Sequence, residues 1–290
     1  MSLASHFNSS DCAISFELFP PKTEAGIETL MKNVERLKEF NPSFFTCTYG
    51  AGGSTRGTTL DVVEKVKQIT GLPVASHLTC VGSTVAQLED YLSEAKNRGV
   101  DYIVALRGDP PKGSEQFEAV EGGLRYANEL VELIRSRFSD FGILVAGYPE
   151  VHQEAKDGKT DLENLKRKVD AGADIVVTQL FYDNADFYRF RDDCVAAGIT
   201  VPIVPGILPV TNFKQALRIA SMCKAAIPSL LSDAMTATDC EESQFSIGVD
   251  HAREQTIDLI KNGVPGIHYY VLNKSDAAEK LLDGLDLCCS

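Results

Sequence analysis

Residues 15–22 read SFELFPPK and set one carboxylate, Glu17, inside an apolar run that ends in two prolines. Burying a carboxylate is costly unless partners compensate. Glu17 therefore either points to water or is retained for acid–base chemistry. Polar residues that could work with it recur at the ends of other apolar runs: Thr48-Tyr49, His77 and Thr79, Arg107-Gly108-Asp109, Tyr148 with Glu150 and His152, Gln179, and Asn273-Lys274. Each alone reads equally well as a helix cap or a satisfied structural residue. Their repeated placement at one end of successive runs points to a shared site.

A second cluster lies in TDLENLKRKVDAG (160–172). Leu162, Leu165 and Val169 follow helical spacing, and Asp161, Asn164, Arg167 and Lys168 fall on another face. That face is either solvated and laced with ordinary salt bridges, or a clamp for phosphate and ribose. Arginine offers a planar fork for phosphate and lysine a point charge. With His77, Arg107 and His152 they would hold a dinucleotide without a Gly-rich fingerprint.

The elements that must position these residues are apolar, β-branched runs at 12–19, 43–49, 73–79, 101–108, 142–148, 173–181, 201–208 and 266–272. Helical patterns such as GIETLMKNVERLKEF and STVAQLEDYLSEAKNRG separate them. Alternation of this kind means parallel βαβ units. Eight units without a Pro/Gly/Ser-rich linker predict one domain over 1–290, a closed (β/α)8 TIM barrel. A doubly wound sheet is the alternative, but no G-x-G-x-x-G follows the first strand, and GAGGST (50–55) has the wrong spacing. In a barrel the catalytic groups sit at the C-terminal ends of the strands. Residues 211–263 hold more than one helix, so an insertion with an extra helix is expected between strands 7 and 8, with 232–244 polar and exposed.

Composition is ordinary for a globular chain, 44% hydrophobic and 24% charged over 290 residues. A net charge of −13 argues against nucleic-acid or membrane-surface partners. No apolar run reaches the length of a membrane span. The start, MSLASHFNSSDCA, lacks a basic region followed by an apolar core, so a cytoplasmic protein without a secretory signal is expected. None of the eight cysteines forms a C-x-x-C pair, so free thiols and no metal site are expected.

The stretches SFELFPPK, TYGAGG, HLTC (77–80), LRGDPP (106–111), YPEVHQEA (148–155), DLENLKRKVDAGAD (161–174), TQLFYD (178–183) and PGILPVTNFKQ (205–215) together resemble the catalytic domain of methylenetetrahydrofolate reductases of the short bacterial type. The resemblance covers nearly the whole chain. It implies a TIM barrel holding non-covalent FAD. Hydride passes from a nicotinamide nucleotide, through the flavin, to 5,10-methylenetetrahydrofolate, giving 5-methyltetrahydrofolate for methionine synthesis in one-carbon metabolism. NADH is the expected donor over NADPH, although no motif reading a 2′-phosphate is identifiable. A homo-oligomer is expected by analogy. No room is expected for a C-terminal regulatory domain or for S-adenosylmethionine control.

By resemblance Glu17 is the general acid that protonates the amine nitrogen expelled as the folate bridge opens to a 5-iminium cation. Its apolar strand is expected to raise its pKa by desolvation. Asp109 is the second acidic residue, near flavin and folate. The resemblance places Thr48, Tyr49, Ala51, His77, Arg107, Gly108, Asp109, Tyr126, Ala127, Ala146, Tyr148, His152, Asp161, Asn164, Arg167 and Lys168 at FAD, and Gln179, Gln215 and Lys274 at the substrate. Two positions depart from the pattern: Lys274 stands where the family often has Arg, and Ile219 where some relatives have an aromatic. Two rival readings are a flavin-free folate lyase or methyltransferase barrel, and a subunit that takes electrons from a partner protein. No ferredoxin-type cysteine cluster accompanies the second.

Overall fold

The computed structural model describes residues 2–8, 11–49, 56–110, 117–285 and 287. Eight strands close into one parallel barrel in sequence order: β1 (Ala13–Leu18), β2 (Phe44–Cys47), β3 (Val74–Thr79), β4 (Tyr102–Leu106), β5 (Gly142–Gly147), β6 (Ile175–Leu180), β7 (Ile203–Ile207) and β8 (Gly266–Tyr270). β8 pairs with β1 and so removes both sheet edges. The helices between them are α1 (Glu24–Lys38), α2 (Arg56–Thr70), α3 (Val85–Asn97), α4 (Ala127–Arg137), α5 (Gly158–Asp170) and α6 (Asn184–Ala196). After β7 come α7 (Phe213–Cys223), α8 (Ser229–Thr236) and α9 (Glu241–Lys261), and α10 (Asp276–Leu282) follows β8. Three helices between β7 and β8 match the expected insertion. Its polar stretch is not wholly exposed, because Met235 is fully buried against the α7–α8 core.

The pleat explains why Glu17 exists in an apolar strand. Successive side chains alternate between faces. Ile14, Phe16 and Leu18 face outward into the layer beneath the helices. Ser15 and Glu17 therefore face the barrel interior. At the N-terminal end the interior is dry: a 3₁₀ turn, Leu3–Phe7, inserts Leu3 and Phe7 among Phe44, Tyr102, Leu144 and Ile175. Polar side chains replace this packing only towards the C-terminal ends of the strands. Among the described residues no helix is long and apolar enough to cross a membrane, and no described cysteine is in a disulfide.

Candidate active site at the barrel mouth

At the floor of the mouth the Glu17 carboxylate lies 3.3 Å from His77 Nε2 and 3.7 Å from His268 Nε2. All three residues are buried. Register produces the cluster: Ser15 sits opposite His268 and Glu17 opposite Thr46, so neighbouring strands point these side chains the same way. A carboxylate only accepts hydrogen bonds. The histidine nitrogens facing it therefore carry their protons, and His268 Nδ1 shares a hydrogen bond with the Ser15 hydroxyl at 2.8 Å. A chain Ser15–His268–Glu17–His77 results.

This chain corrects the expected proton affinity of Glu17. Burial does push its pKa up, but hydrogen bonding to His268 and His77, with the attraction of both rings, outweighs it. The pKa falls to about 2. Glu17 in the free protein is a carboxylate, not a stored acid. The apolar strand sequence hid the two imidazoles that compensate the buried charge.

Glu17, His77, Thr48, Tyr49, Asp109 and Gln179 line a cavity of about 460 Å³ above this floor. The hydroxyls of Thr46 and Thr79, also in its wall, are buried without a hydrogen-bond partner among the described residues. Unsatisfied buried hydroxyls are costly, which suits a place built to be filled. Gly108 borders the cavity at φ +88°, and a Cβ there would lie 2.8 Å from Val81 Cγ1. Only glycine fits this left-handed backbone against Val81 and Thr79.

A second cavity, of about 460 Å³, shares Leu106, Arg107, Ala146, Tyr148 and His152 with the first. It continues outward past Tyr126 and Ala127 to Asp161, Asn164, Arg167 and Lys168 on α5. The two form one groove from acid to cations. Asp157 caps the start of α5, accepting from Thr160 N, and fixes the helix that carries these groups. Leu165 is buried and Leu162 and Val169 pack beside it, as the spacing predicts.

Several of the groove's charges already have partners. Arg107 grips Glu154 through both terminal guanidinium nitrogens, at 2.6 and 2.7 Å. Asp161 accepts from His152 N at 2.9 Å and so holds the β5–α5 loop. Arg167 donates to Asn164 Oδ1. The Lys168 amine donates to the Ala146 carbonyl and lies 5.8 Å from the Tyr148 ring centroid. Burial pulls its pKa down to about 8. His152 packs edge-on against Tyr148 at 4.6 Å, and burial lowers its pKa as well.

Other expected site residues lie elsewhere. Gln215 and Lys274 are exposed and outside the walls of both cavities. Ala51 lies outside the described residues. Glu150 turns away from the groove to accept Ala226 N at 2.8 Å. Asn273 clamps Phe19, accepting its N–H at 2.7 Å and donating to its carbonyl at 2.8 Å. His268, Tyr270 and Glu154 were not anticipated. Inward parity on β8 is the signal that could have found the first two.

The family model for methylenetetrahydrofolate reductase matches residues 2–286. The chain belongs to the methylenetetrahydrofolate reductase family. It is 43% identical over 286 residues to "Methylenetetrahydrofolate reductase (NADH) 1" of Zea mays, covering 95% of this chain and 48% of that protein. The chain thus spans about half the length of the plant relatives it matches. It is 43% identical over 264 residues to the 5,10-methylenetetrahydrofolate reductase of Escherichia coli K12, covering 91% of this chain and 87% of that one. A Clostridium thermocellum protein described as binding two copies of 5-methyl-5,6,7,8-tetrahydrofolic acid shares the fold, with a TM-score of 0.65 at 16% identity over 97% of this chain and 96% of that one. Among the described residues no set of three or more His, Cys, Asp or Glu side chains is arranged to hold a metal ion.

Proposed function

We propose that this chain reduces 5,10-methylenetetrahydrofolate to 5-methyltetrahydrofolate, with NADH as donor and non-covalent FAD as cofactor. The observation that carries this reading is the groove itself: a carboxylate between two imidazoles at its floor, and arginine and lysine at its outer end. The donor set suits a dinucleotide. Arg167 and Lys168 offer charge for a diphosphate, and the unpartnered Thr46 and Thr79 hydroxyls and the bare Gly108 suit a flat polar ring. Bound there, a flavin would supply two-electron hydride transfer between nucleotide and folate in successive half-reactions.

Glu17 serves the folate half-reaction. Opening the substrate's five-membered bridge expels an amine nitrogen that needs a proton. Glu17 rests ionised, so it first takes up a proton, from solvent or along its hydrogen bonds to His77 and His268. As the C–N bond breaks, Glu17 gives that proton to the leaving nitrogen and returns to a carboxylate. The carboxylate then sets negative charge beside the 5-iminium cation that must accept hydride. Asp109 adds a second carboxylate at the cavity wall. Ser15 fixes the His268 ring so that its Nε2 proton faces Glu17. The methylene carbon is reduced and the nucleotide oxidised, which balances the two electrons.

The test is direct. Purified protein should show an oxidised-flavin spectrum. Under anaerobic conditions it should convert NADH and methylenetetrahydrofolate to NAD⁺ and 5-methyltetrahydrofolate, identified by mass. Protein that binds folate without flavin and makes no reduced product would favour the methyltransferase-like alternative.

A further inference from the structure

We infer that Tyr270 is a positioning residue that holds open a bulge in β6 and thereby aims Gln179 into the cavity. Between paired positions, β6 runs from Val177 to Leu180 while β7 runs only from Val204 to Gly206, so β6 carries one residue more than its neighbour. An extra residue leaves backbone groups without their ladder partners. Here both are accounted for. The Thr178 carbonyl accepts from the Tyr270 hydroxyl at 2.7 Å. The Gly206 N–H donates to the Thr178 hydroxyl at 2.9 Å.

Tyr270 belongs to β8 and must cross β7 to reach β6. It does so over Gly206. A Cβ at that position would lie 2.3 Å from the Thr178 carbonyl oxygen, 2.7 Å from Tyr270 Cε2 and 2.8 Å from its hydroxyl. The bare glycine, the phenol and the threonine hydroxyl therefore form one device. Thr178 and Gln179 together face the single Pro205, and Gln179 lines the cavity and caps its own strand by accepting Leu180 N at 2.9 Å. The same tyrosine packs edge-on against His268 at 5.3 Å, so one ring touches the Glu17 cluster and sets the carboxamide. The inference rests on the proposed function, with Gln179 taken as a substrate contact as the family resemblance implies.

The test uses the purified full chain. In Tyr270→Phe, hydrogen–deuterium exchange at the Gly206 and Leu180 amides should quicken by about fivefold or more, because the bulge loses its clamp. KM for methylenetetrahydrofolate should rise by about tenfold with kcat held within about twofold. On a Gln179→Ala background the same change should add no more than about twofold, since both act through one carboxamide. Thr178→Val should reproduce the exchange and KM effects and Thr178→Ser should not, a comparison independent of whether Tyr270→Phe folds. Exchange unchanged in Tyr270→Phe, or effects that multiply with Gln179→Ala, would overturn the inference. If the wild-type chain did not reduce methylenetetrahydrofolate at all, the proposed function would have failed, and exchange would still decide whether the clamp exists.

Discussion

Glu17 and His77 meet at 3.3 Å across two strands of the barrel, and neither is open to bulk water. A buried carboxylate at this distance from an imidazole, with His268 on its other side, is a charge held for use. The pair also fixes a pH dependence. Glu17 has its pKa lowered in the folded state, so its contribution to stability is present above the ordinary carboxylate range. That contribution is lost as pH falls from about 4.5 towards about 2.

Ser15→Ala removes the hydroxyl that sets His268 without touching substrate or the carboxylate. The ring is then free to turn or change tautomer. Folate reduction should slow by about tenfold, the worth of one orienting hydrogen bond, while NADH–menadione turnover changes little. Stopped-flow measurement of each half-reaction checks this; equal losses in both would point to general damage.

Lys168 should make cofactor binding pH-dependent. Its amine titrates at about 8 in the folded chain, against an ordinary 10.5. Above pH 8 the folded protein loses the proton that the unfolded chain keeps, so folding stability gains with pH up to about 10.5. FAD binding runs the other way, because a diphosphate needs the cation. Affinity measured by fluorescence titration should fall between about pH 7.5 and about pH 9 by up to about tenfold per unit. Lys168→Met should bind more weakly and lose most of this slope.

Asn273 should matter for stability rather than chemistry. It makes two hydrogen bonds to the Phe19 backbone and accepts a third from Asn33 on its own carbonyl, at a φ of 62° that asparagine tolerates better than most residues. Asn273→Ala loses the side-chain pair and adds left-handed strain. We expect a loss of about 2 kcal/mol, or about 4 °C in Tm. Calorimetry reads it directly, and no change in Tm would show that the β1–α1 loop does not depend on the clamp.

The barrel and much of its mouth were legible because periodicity carries them. Alternation in SFEL puts Glu17 on the same face as Ser15, and spacing in DLENLKRK separates Leu165 from Arg167 and Lys168. What stayed hidden depends on closure. Ser15 and His268 are 253 positions apart and become neighbours only when β8 meets β1, so no local pattern announces the imidazole that lowers the Glu17 pKa. Desolvation can be read from an apolar run, but its compensation cannot. The same holds for Arg107, whose fork Glu154 occupies from 47 positions away. The β6 bulge is likewise a relation among three strands.

The account stands most directly on Glu17→Gln, followed one half-reaction at a time in anaerobic stopped flow. We predict that reduction of methylenetetrahydrofolate slows by about 10²–10⁴-fold, the usual worth of a positioned acid, while the NADH half-reaction, which has no leaving group to protonate, stays within about threefold. Equal slowing of both half-reactions, or folate reduction at the wild-type rate, would contradict the role given to Glu17.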